Sequence, residues 1–339
     1  PQMLRPQRSL GAVLGGPLRL VSPHIYDAHP TKARTLTPEL ACHIIAKSAV
    51  RTAGGAARPG MQTESNSIDI QDALRAAIDA ARRGGAIAKA RLGSPGYVKW
   101  KGDRDVVTEA SFAVQEEIVS VLQASFPSTG ILAEEGPEDA PIPVEAPHLW
   151  IVDPICGSLN FAQGIPYFAV SIALRSAGRI RVGVVYDPCR DELFEATDRT
   201  ASELNGRKIA IQQISEGIEA WEAAFIGTDW PRKGGERYLA ERIVSVMMGQ
   251  ILECSVMGSP ALGICNVAAG RLHGYWHLDL RFWDIAAASL ILERAGGVLT
   301  DIKGDSWLYA DGGYVASNQV IHSWILNCVR AVLAEPKLR

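Results

Sequence analysis

The amino-acid sequence predicts a mixed protein, with an α+β half over residues 67–214 and an α/β half over residues 215–339. Apolar residues recur at helical spacing in several stretches. Short Val/Ile-rich runs between these stretches are bounded by turn residues, which is typical of strands. Helices and strands alternate more regularly after about residue 215, as in α/β proteins.

The first half begins with a predicted helix from Ser67. Its apolar residues recur at helical spacing, and Asp69 near its start suits the positive end of the helix dipole. A second helix is predicted between Thr108 and Pro127, because proline interrupts helices. Short apolar runs then predict five strands, at 130–133, 149–152, 167–174, 180–186 and 192–196.

The second half is predicted to alternate between the two kinds of element. The predicted strands are 223–228, 298–300 and 314–317, and the predicted helices are 236–248, 259–269, 284–295 and 320–333. Pro260 stands where a first helical turn tolerates proline, and Gly296 with Gly297 is typical of a helix end. We expect the aromatic and charged segment 274–281 to be a loop.

Composition excludes some classes of partner. The 339 residues carry a formal net charge of −3, which gives no electrostatic reason to expect a nucleic-acid partner. No apolar run approaches the roughly 18 residues that a membrane-spanning helix needs. The six cysteines are scattered without a C-x-x-C pair, which favours a reducing cytoplasm over a disulfide-rich or zinc-ribbon fold.

Residues 1–66 differ from the rest of the chain. Residues 1–60 contain eight Lys/Arg and two acidic residues, so the remaining residues carry a net charge of −9. We expect a basic, disordered leader, and its sparse serine argues against the alternative of an organelle-targeting peptide. A protein beginning at Met61 is therefore expected to fold.

Acidic residues follow several of the predicted strands. Glu134 follows the strand 130–133, Asp153 follows the strand 149–152, and Asp284 opens a helix after Trp283. Carboxylates at the ends of neighbouring strands can converge on one cleft and bind Mg²⁺, Mn²⁺ or Ca²⁺. Taken singly, each acid is better explained as a cap of a helix or turn on the surface.

The acidic residues lie in four motifs whose order along the chain is itself informative. The run 150–161 reads WIVDPICGSLNF and resembles the W-x-V-D-P-x-D-G-T-x-N-F motif of the inositol monophosphatase family. Segments 105–111, 133–136 and 283–297 resemble three further blocks of that family in the same order. The resemblance implies a layered α-β-α-β-α sandwich and a homodimer. It also implies Mg²⁺-dependent, lithium-sensitive hydrolysis of small phosphate monoesters.

The resemblance also implies roles for individual residues. Glu134, Asp153 and the carbonyl of Ile155 would bind a first metal ion, and Asp153 with Asp284 would bind a second. Glu134 would also be a catalytic residue in the hydrolysis. Gly157 and Ser158 would present backbone N–H groups to the phosphate, and the Ser158 hydroxyl would help to orient the attacking water.

Two positions depart from the family motifs. Cys156 stands where the family has an aspartate ligand of the second metal, and a soft thiolate matches Mg²⁺ poorly. We therefore expect a weak second Mg²⁺ site, or one that prefers another divalent metal. Ser111 stands where the family has an aspartate that holds the catalytic water, and serine is a poor proton acceptor at neutral pH.

Two functions follow from these residues. The first is hydrolysis of a small phosphorylated metabolite, by default inositol monophosphate, with reduced activity. Histidinol phosphate, fructose bisphosphate and phosphoadenosine phosphate stay open. The second is an impaired family member that binds a ligand or regulates a partner. His277 stands where inositol-type members have a glutamate that contacts substrate hydroxyls, so it is a candidate for substrate binding or simply a surface histidine.

Overall fold

The structure is a computed structural model. It describes residues 68–102, 104–136, 146–214, 221–307 and 311–335. The leader expected at residues 1–66 lies outside the described residues. Among those residues, no helix has both the length and the apolar composition that a bilayer crossing requires.

The first half of the chain builds a seven-stranded sheet in which sequential strands lie side by side. Its strands are β3 (Gly130–Ala133), β4 (His148–Cys156), β5 (Ala169–Ser176), β6 (Arg179–Asp187), β7 (Glu192–Thr197), β8 (Glu203–Leu204) and β9 (Arg207–Lys208). β3 runs parallel to β4, and all the other pairs are antiparallel. The central strands β4 and β5 are almost wholly buried, because helices cover both faces of the sheet.

The second half builds a five-stranded mixed sheet in the order β11-β10-β12-β14-β13. The strands are β10 (Phe225–Thr228), β11 (Glu253–Val256), β12 (Gly274–Leu280), β13 (Val298–Asp301) and β14 (Gly312–Ser317). β12 runs parallel to β10 and antiparallel to β14. A separate hairpin joins β1 (Val98–Gly102) and β2 (Asp105–Thr108) before the large sheet begins.

Seven helices complete the described structure. They are α1 (Ile70–Arg91), α2 (Glu109–Ser125), α3 (Ser158–Ala162), α4 (Gly234–Met248), α5 (Pro260–Ala268), α6 (Phe282–Arg294) and α7 (His322–Leu333). α1 and α2 pack on one face of the large sheet, and α6 packs on its other face. α5 pairs with α6 and contacts the small sheet, which α4 and α7 also contact. The α-β-α-β-α layering predicted from the sequence is therefore confirmed.

Local chemistry fixes the helix ends. Asp69 caps α1, because its Oδ1 accepts from the N–H groups of Gln71 at 2.8 Å and Asp72 at 2.9 Å. Pro260 occupies the first turn of α5, as predicted. α6 ends before Gly296, whose φ of 90° is the left-handed conformation that glycine adopts at helix ends.

One expectation about the small sheet was wrong. Residues 274–281 were expected to form a loop, but Gly274–Leu280 is β12, the central strand of this sheet, and all seven of its residues are buried. Its polar and charged residues interrupt the apolar run that would otherwise indicate a buried strand. His277 and Asp279 are polar because this strand lines a cavity, whereas Trp276 packs in the core.

Candidate active site

A cavity of about 490 Å³ opens where the ends of β3 and β4 face the small sheet. It brings together eight of the nine site residues predicted from the sequence. These are Glu134, Asp153, Ile155, Cys156, Gly157, Ser158, His277 and Asp284. The ninth, Ser111, is not among the residues that line the cavity.

Glu134 lies in the turn after β3. Its backbone N–H donates to Val152 O at 3.0 Å, and Gln115 of α2 holds the next residue, Glu135, through two hydrogen bonds to its backbone. Lys101 Nζ donates to Glu134 Oε1 at 2.7 Å and to Glu135 Oε1 at 2.9 Å. Burial opposes ionisation, but Lys101 and Arg232 hold the pKa of Glu134 below its ordinary value. Glu134 is therefore a carboxylate.

Asp153 and Cys156 lie at the end of β4, where the pairing with β5 shifts register between them. This irregularity is a bulge, which redirects side chains at the end of a strand. Asp153 Oδ1 accepts from the N–H of Ile155 at 3.0 Å, whereas its buried Oδ2 meets no donor among the described residues. Burial, with Glu134 and Asp284 close by, raises the pKa of Asp153 well above its ordinary value.

Asp284 comes from the opposite side of the cavity, in the first turn of α6. Its Oδ2 accepts from the N–H of Arg281 at 2.8 Å, which also caps the helix. Burial raises the pKa of Asp284 to about 7, although Arg232 opposes this rise. Asp284 therefore lies opposite Asp153, and Arg232 does not fully offset the cost of ionising its buried carboxyl group.

The donor atoms fit a divalent cation. Ligand atoms of Asp153, Cys156 and Asp284 all lie within 4.8 Å of one another, and all three residues are buried. Asp153 Oδ2 accepts no hydrogen bond among the described residues, and its carboxyl group lies against that of Glu134. Two adjacent buried carboxyl groups must either share a proton or bind a cation, and this crowding favours an ion. Burial, with Asp153 and Asp284 nearby, raises the pKa of the Cys156 thiol well above its ordinary value. A neutral thiol is a weaker ligand than the oxygen atoms beside it.

Gly157 and Ser158 form the turn from β4 into the short helix α3. Gly157 has a φ of 112°, and a Cβ at this position would lie 2.9 Å from Gly258 O. Only glycine fits both the conformation and the close approach. Asn160 Nδ2 then donates to Met257 O at 2.7 Å, so this turn is tied to the loop before α5.

Ser111 is buried in a capping box at the start of α2. Its N–H donates to Thr108 Oγ1 at 3.1 Å, and the two hydroxyl groups lie 2.9 Å apart. These contacts give Ser111 a structural role at the helix end. Its predicted part in catalysis stays a prediction.

His277 lies on β12 and is buried at the cavity wall, so it is not a surface histidine. Its Nδ1 accepts from the N–H of Asp279 at 2.9 Å. Burial and the nearby Arg232 lower the pKa of His277 to about 3, so the ring is neutral at physiological pH. The ring also hydrogen-bonds the Trp230 backbone, and in its neutral form it supplies no positive charge to the cavity.

The sequence analysis missed Arg232, which lines the cavity, and Lys101, which binds the cavity residue Glu134. Arg232 Nη2 lies 3.4 Å from Asp105 Oδ1, and Lys101 bridges two glutamates as described above. The Pro-Arg pair before α4 belongs to none of the four motifs, so no sequence pattern marked Arg232 as a cavity residue. Lys101 was detectable only as a basic residue just before a matched segment.

Asp229 was also missed, although it organises the loop before α5. Its Oδ1 accepts from the N–H groups of Met257 at 3.0 Å and Gly258 at 2.5 Å, and its Oδ2 accepts from Tyr275 Oη at 2.8 Å. Burial raises the pKa of Asp229 to about 6, and these donors oppose the rise. Asp229 therefore positions the loop that contacts Asn160.

This shift predicts a pH-dependent stability. The folded protein holds the Asp229 proton more tightly than the unfolded chain, so stability should fall as pH rises from about 4 to about 6 and stay lower above that. Asp229→Asn should flatten this part of the profile by on the order of 3 kcal/mol. Denaturant unfolding of the metal-free protein across this range measures it. The exposed Asp79→Asn is the control, and an unchanged slope in Asp229→Asn would contradict the assignment.

Comparison with known proteins identifies one family model and several related sequences. The model of the inositol monophosphatase family matches residues 69–334. The protein named Nus factor SuhB from Vibrio cholerae is 36% identical over 252 residues, which are 72% of this chain and 91% of the relative. Its namesake from Escherichia coli K12 is 33% identical over 259 residues, covering 75% and 94%.

Solved structures show the same fold. The extragenic suppressor protein SuhB from Bartonella henselae superposes with a TM-score of 0.69 at 31% identity, covering 76% of this chain and 98% of that protein. An IMPase from Thermotoga maritima gives a TM-score of 0.69 at 29% identity, covering 77% and 98%.

Proposed function

Because the chain belongs to the inositol monophosphatase family, we propose that it is a metal-dependent hydrolase of a small phosphate monoester, with inositol monophosphate as the default substrate. The observation that supports this most directly is the cluster of Asp153, Cys156 and Asp284, with the unsatisfied Asp153 Oδ2 among its ligand atoms. Glu134, Asp153 and the carbonyl of Ile155 would hold a first Mg²⁺. Asp153, Asp284 and Cys156 would hold a second.

Bound Mg²⁺ supplies Lewis-acid stabilisation of negative charge on the phosphate oxygens. In this proposal the turn after β4, whose Gly157 and Ser158 line the cavity, would supply the remaining phosphate contacts through backbone N–H groups. Lys101 keeps Glu134 ionised. The Ser158 hydroxyl would orient water towards the phosphorus. The neutral His277 ring would contact the alcohol part of the substrate at the cavity wall.

Phosphate release tests this function. Purified protein with Mg²⁺ should release phosphate from at least one member of a panel containing inositol 1-phosphate, glycerol 3-phosphate, histidinol phosphate and fructose 1,6-bisphosphate. The control is the same assay in EDTA, where release should stop. Absence of release from every substrate by folded protein would refute the hydrolase assignment.

The two metal positions should differ in affinity. Glu134 and Asp153 provide hard oxygen ligands to the first site, whereas the neutral Cys156 thiol weakens the second. Calorimetric titration should give one tight Mg²⁺ site and a second that is weaker, or that binds Zn²⁺ or Cd²⁺ better. In Cys156→Asp the second Mg²⁺ site should tighten, whereas Cys156→Asn, of similar size but uncharged, should show no such gain. Two equal tight Mg²⁺ sites in the unchanged protein would contradict this prediction.

A second function is a binding or regulatory role with little turnover. Cys156 and Ser111 favour it, because they replace two carboxylates of the family motifs. Relatives that carry the name Nus factor also favour it. Calorimetry separates the two functions, since a regulatory member would bind a phosphorylated ligand without releasing phosphate.

A further inference from the structure

Two arginines at the cavity have no acidic partner among the described residues. Arg104 and Arg237 line the cavity together with Arg232. Arg232 is paired with Asp105, and the nearby Lys233 lies 3.2 Å from Asp279 Oδ1. Within the same part of the chain, no carboxylate forms an ion pair with Arg104 or Arg237. These two positive charges are therefore not neutralised by the cavity's own acids.

Both guanidinium groups are held by backbone carbonyls of the loop before α4. Arg104 Nη1 donates to Arg232 O at 2.9 Å, and Arg237 Nη1 donates to the preceding carbonyl, Pro231 O, at 3.4 Å. Arg237 also lies over the Trp230 ring, 5.8 Å from its centroid, which restricts its plane. A guanidinium group has five N–H donors, so each arginine keeps donors for a ligand.

The first turn of α4 lies beside this pair. A Cβ on Gly234 would be 3.9 Å from Arg104 Nη1, and a Cβ on Gly235 would meet nothing within 4 Å. No side chain caps the start of this helix, and the acid in its first turn, Glu236, pairs with Lys233. The backbone N–H groups of this turn therefore add positive potential next to the two arginines.

We propose that the substrate carries a second anionic group on its alcohol part, a carboxylate or another phosphate, and that Arg104 and Arg237 bind it. The proposal rests on the proposed hydrolase function, with the scissile phosphate at Asp153 and Asp284. Paired guanidinium groups suit planar or tetrahedral oxyanions. The uncharged polyol of inositol monophosphate, the default substrate, would leave both guanidinium charges unmatched, so a monoester with a second anionic group should bind more tightly than inositol monophosphate.

A matched pair of ligands tests the preference. 3-Phosphoglycerate and glycerol 3-phosphate differ only in a carboxylate against a hydroxymethyl group. Their phosphonate analogues, with CH₂ in place of the ester oxygen, resist hydrolysis and allow calorimetry with Mg²⁺ present. The acidic analogue should bind about tenfold or more tightly, and this ratio should shrink as salt is raised. The 1-phosphonate analogues of fructose 1,6-bisphosphate and fructose 1-phosphate, which differ only in the 6-phosphate, form the phosphate arm, and the arm with the larger ratio identifies the second group.

Substitutions test whether Arg104 and Arg237 cause the preference for acidic ligands. In the double variant Arg104→Gln, Arg237→Gln, the ratio between acidic and neutral ligands should fall towards one, whereas the exposed Arg207→Gln on β9 should keep the wild-type ratio. Equal binding of acidic and neutral ligands by the wild type would overturn the proposal even if phosphate release is observed. A preference that survives in the double variant would overturn the assignment to these arginines. If no monoester is hydrolysed but the binding preference holds, the hydrolase function fails and the anion site stands.

Discussion

Asp153→Asn is expected to abolish phosphate release, by on the order of a thousandfold, without loss of the fold. Asp153 is the residue shared between the two proposed metal positions, so the substitution removes a charge from both. The asparagine Oδ1 can still accept from the N–H of Ile155, which keeps the bulge at the end of β4. Its amide nitrogen replaces Oδ2, the buried oxygen that meets no donor, and places a donor beside the carboxylate of Glu134.

The substitution should therefore separate activity from stability. Without metal, Asp153→Asn should melt at or above the temperature of the wild type, because a buried acid crowded by Glu134 and Asp284 has been neutralised. Added Mg²⁺ should raise the melting temperature of the wild type but hardly that of the variant. Asp198→Asn, at a partly buried aspartate that does not line the cavity, is the control and should keep its activity. A variant with more than a tenth of the wild-type rate would refute the role of Asp153.

Restoring two carboxylates is expected to raise the rate of phosphate release. Cys156→Asp returns an oxygen ligand to the second metal position, and its carboxylate can accept the N–H of Ala261 that Cys156 Sγ accepts at 3.4 Å. Ser111→Asp returns an acceptor for water near α2 and suits the first turn of a helix. Each single change should help modestly, and the double change should give on the order of a hundredfold.

The gain should be greater than the product of the single effects, because both carboxylates act on the same catalytic water. Rates at saturating Mg²⁺ for the wild type, both single variants and the double variant give this comparison. Cys156→Asn with Ser111→Asn is the matched uncharged control and should show no gain. If the double variant binds two Mg²⁺ ions and is no faster than the wild type, these positions do not limit the chemistry.

The elements that the sequence predicted well are those with a strong period or clear end signals. β3 was predicted with its observed bounds, and α4 and α5 were placed within two residues, because apolar periodicity and Pro260 mark them. β1, β2, β8, β9 and β11 were missed. They are short strands, and β11 lies at the edge of its sheet, so none of its residues is buried and its hydrophobic pattern is weak. β12 was missed for the opposite reason, since its buried polar residues serve the cavity.

The cavity residues also divide into those that a sequence pattern marks and those that it does not. Asp153 and Asp284 were predicted because they stand in ordered motifs, where spacing along the chain is itself informative. Arg104, Arg232 and Arg237 join the cavity only through the tertiary fold, which brings the β1–β2 hairpin to the loop before α4. Nothing local distinguishes such a residue from an ordinary surface arginine. Ser111 shows the reverse case, since its motif position gave no information about its bonds to Thr108.

The attachment of the Cys156 turn to the second half of the chain has a consequence for the order of assembly. Ser259 Oγ donates to Cys156 O at 2.8 Å, and the Ala261 N–H reaches the same residue, across separations of 103 and 105 positions. Contacts between such distant segments form slowly, because a long loop must close first. A chain with the large sheet formed but the small sheet unfolded would lack this attachment of the Cys156 turn. Under the proposed function, divalent ions would therefore bind most tightly after both halves have folded, and metal binding would be a late step in maturation.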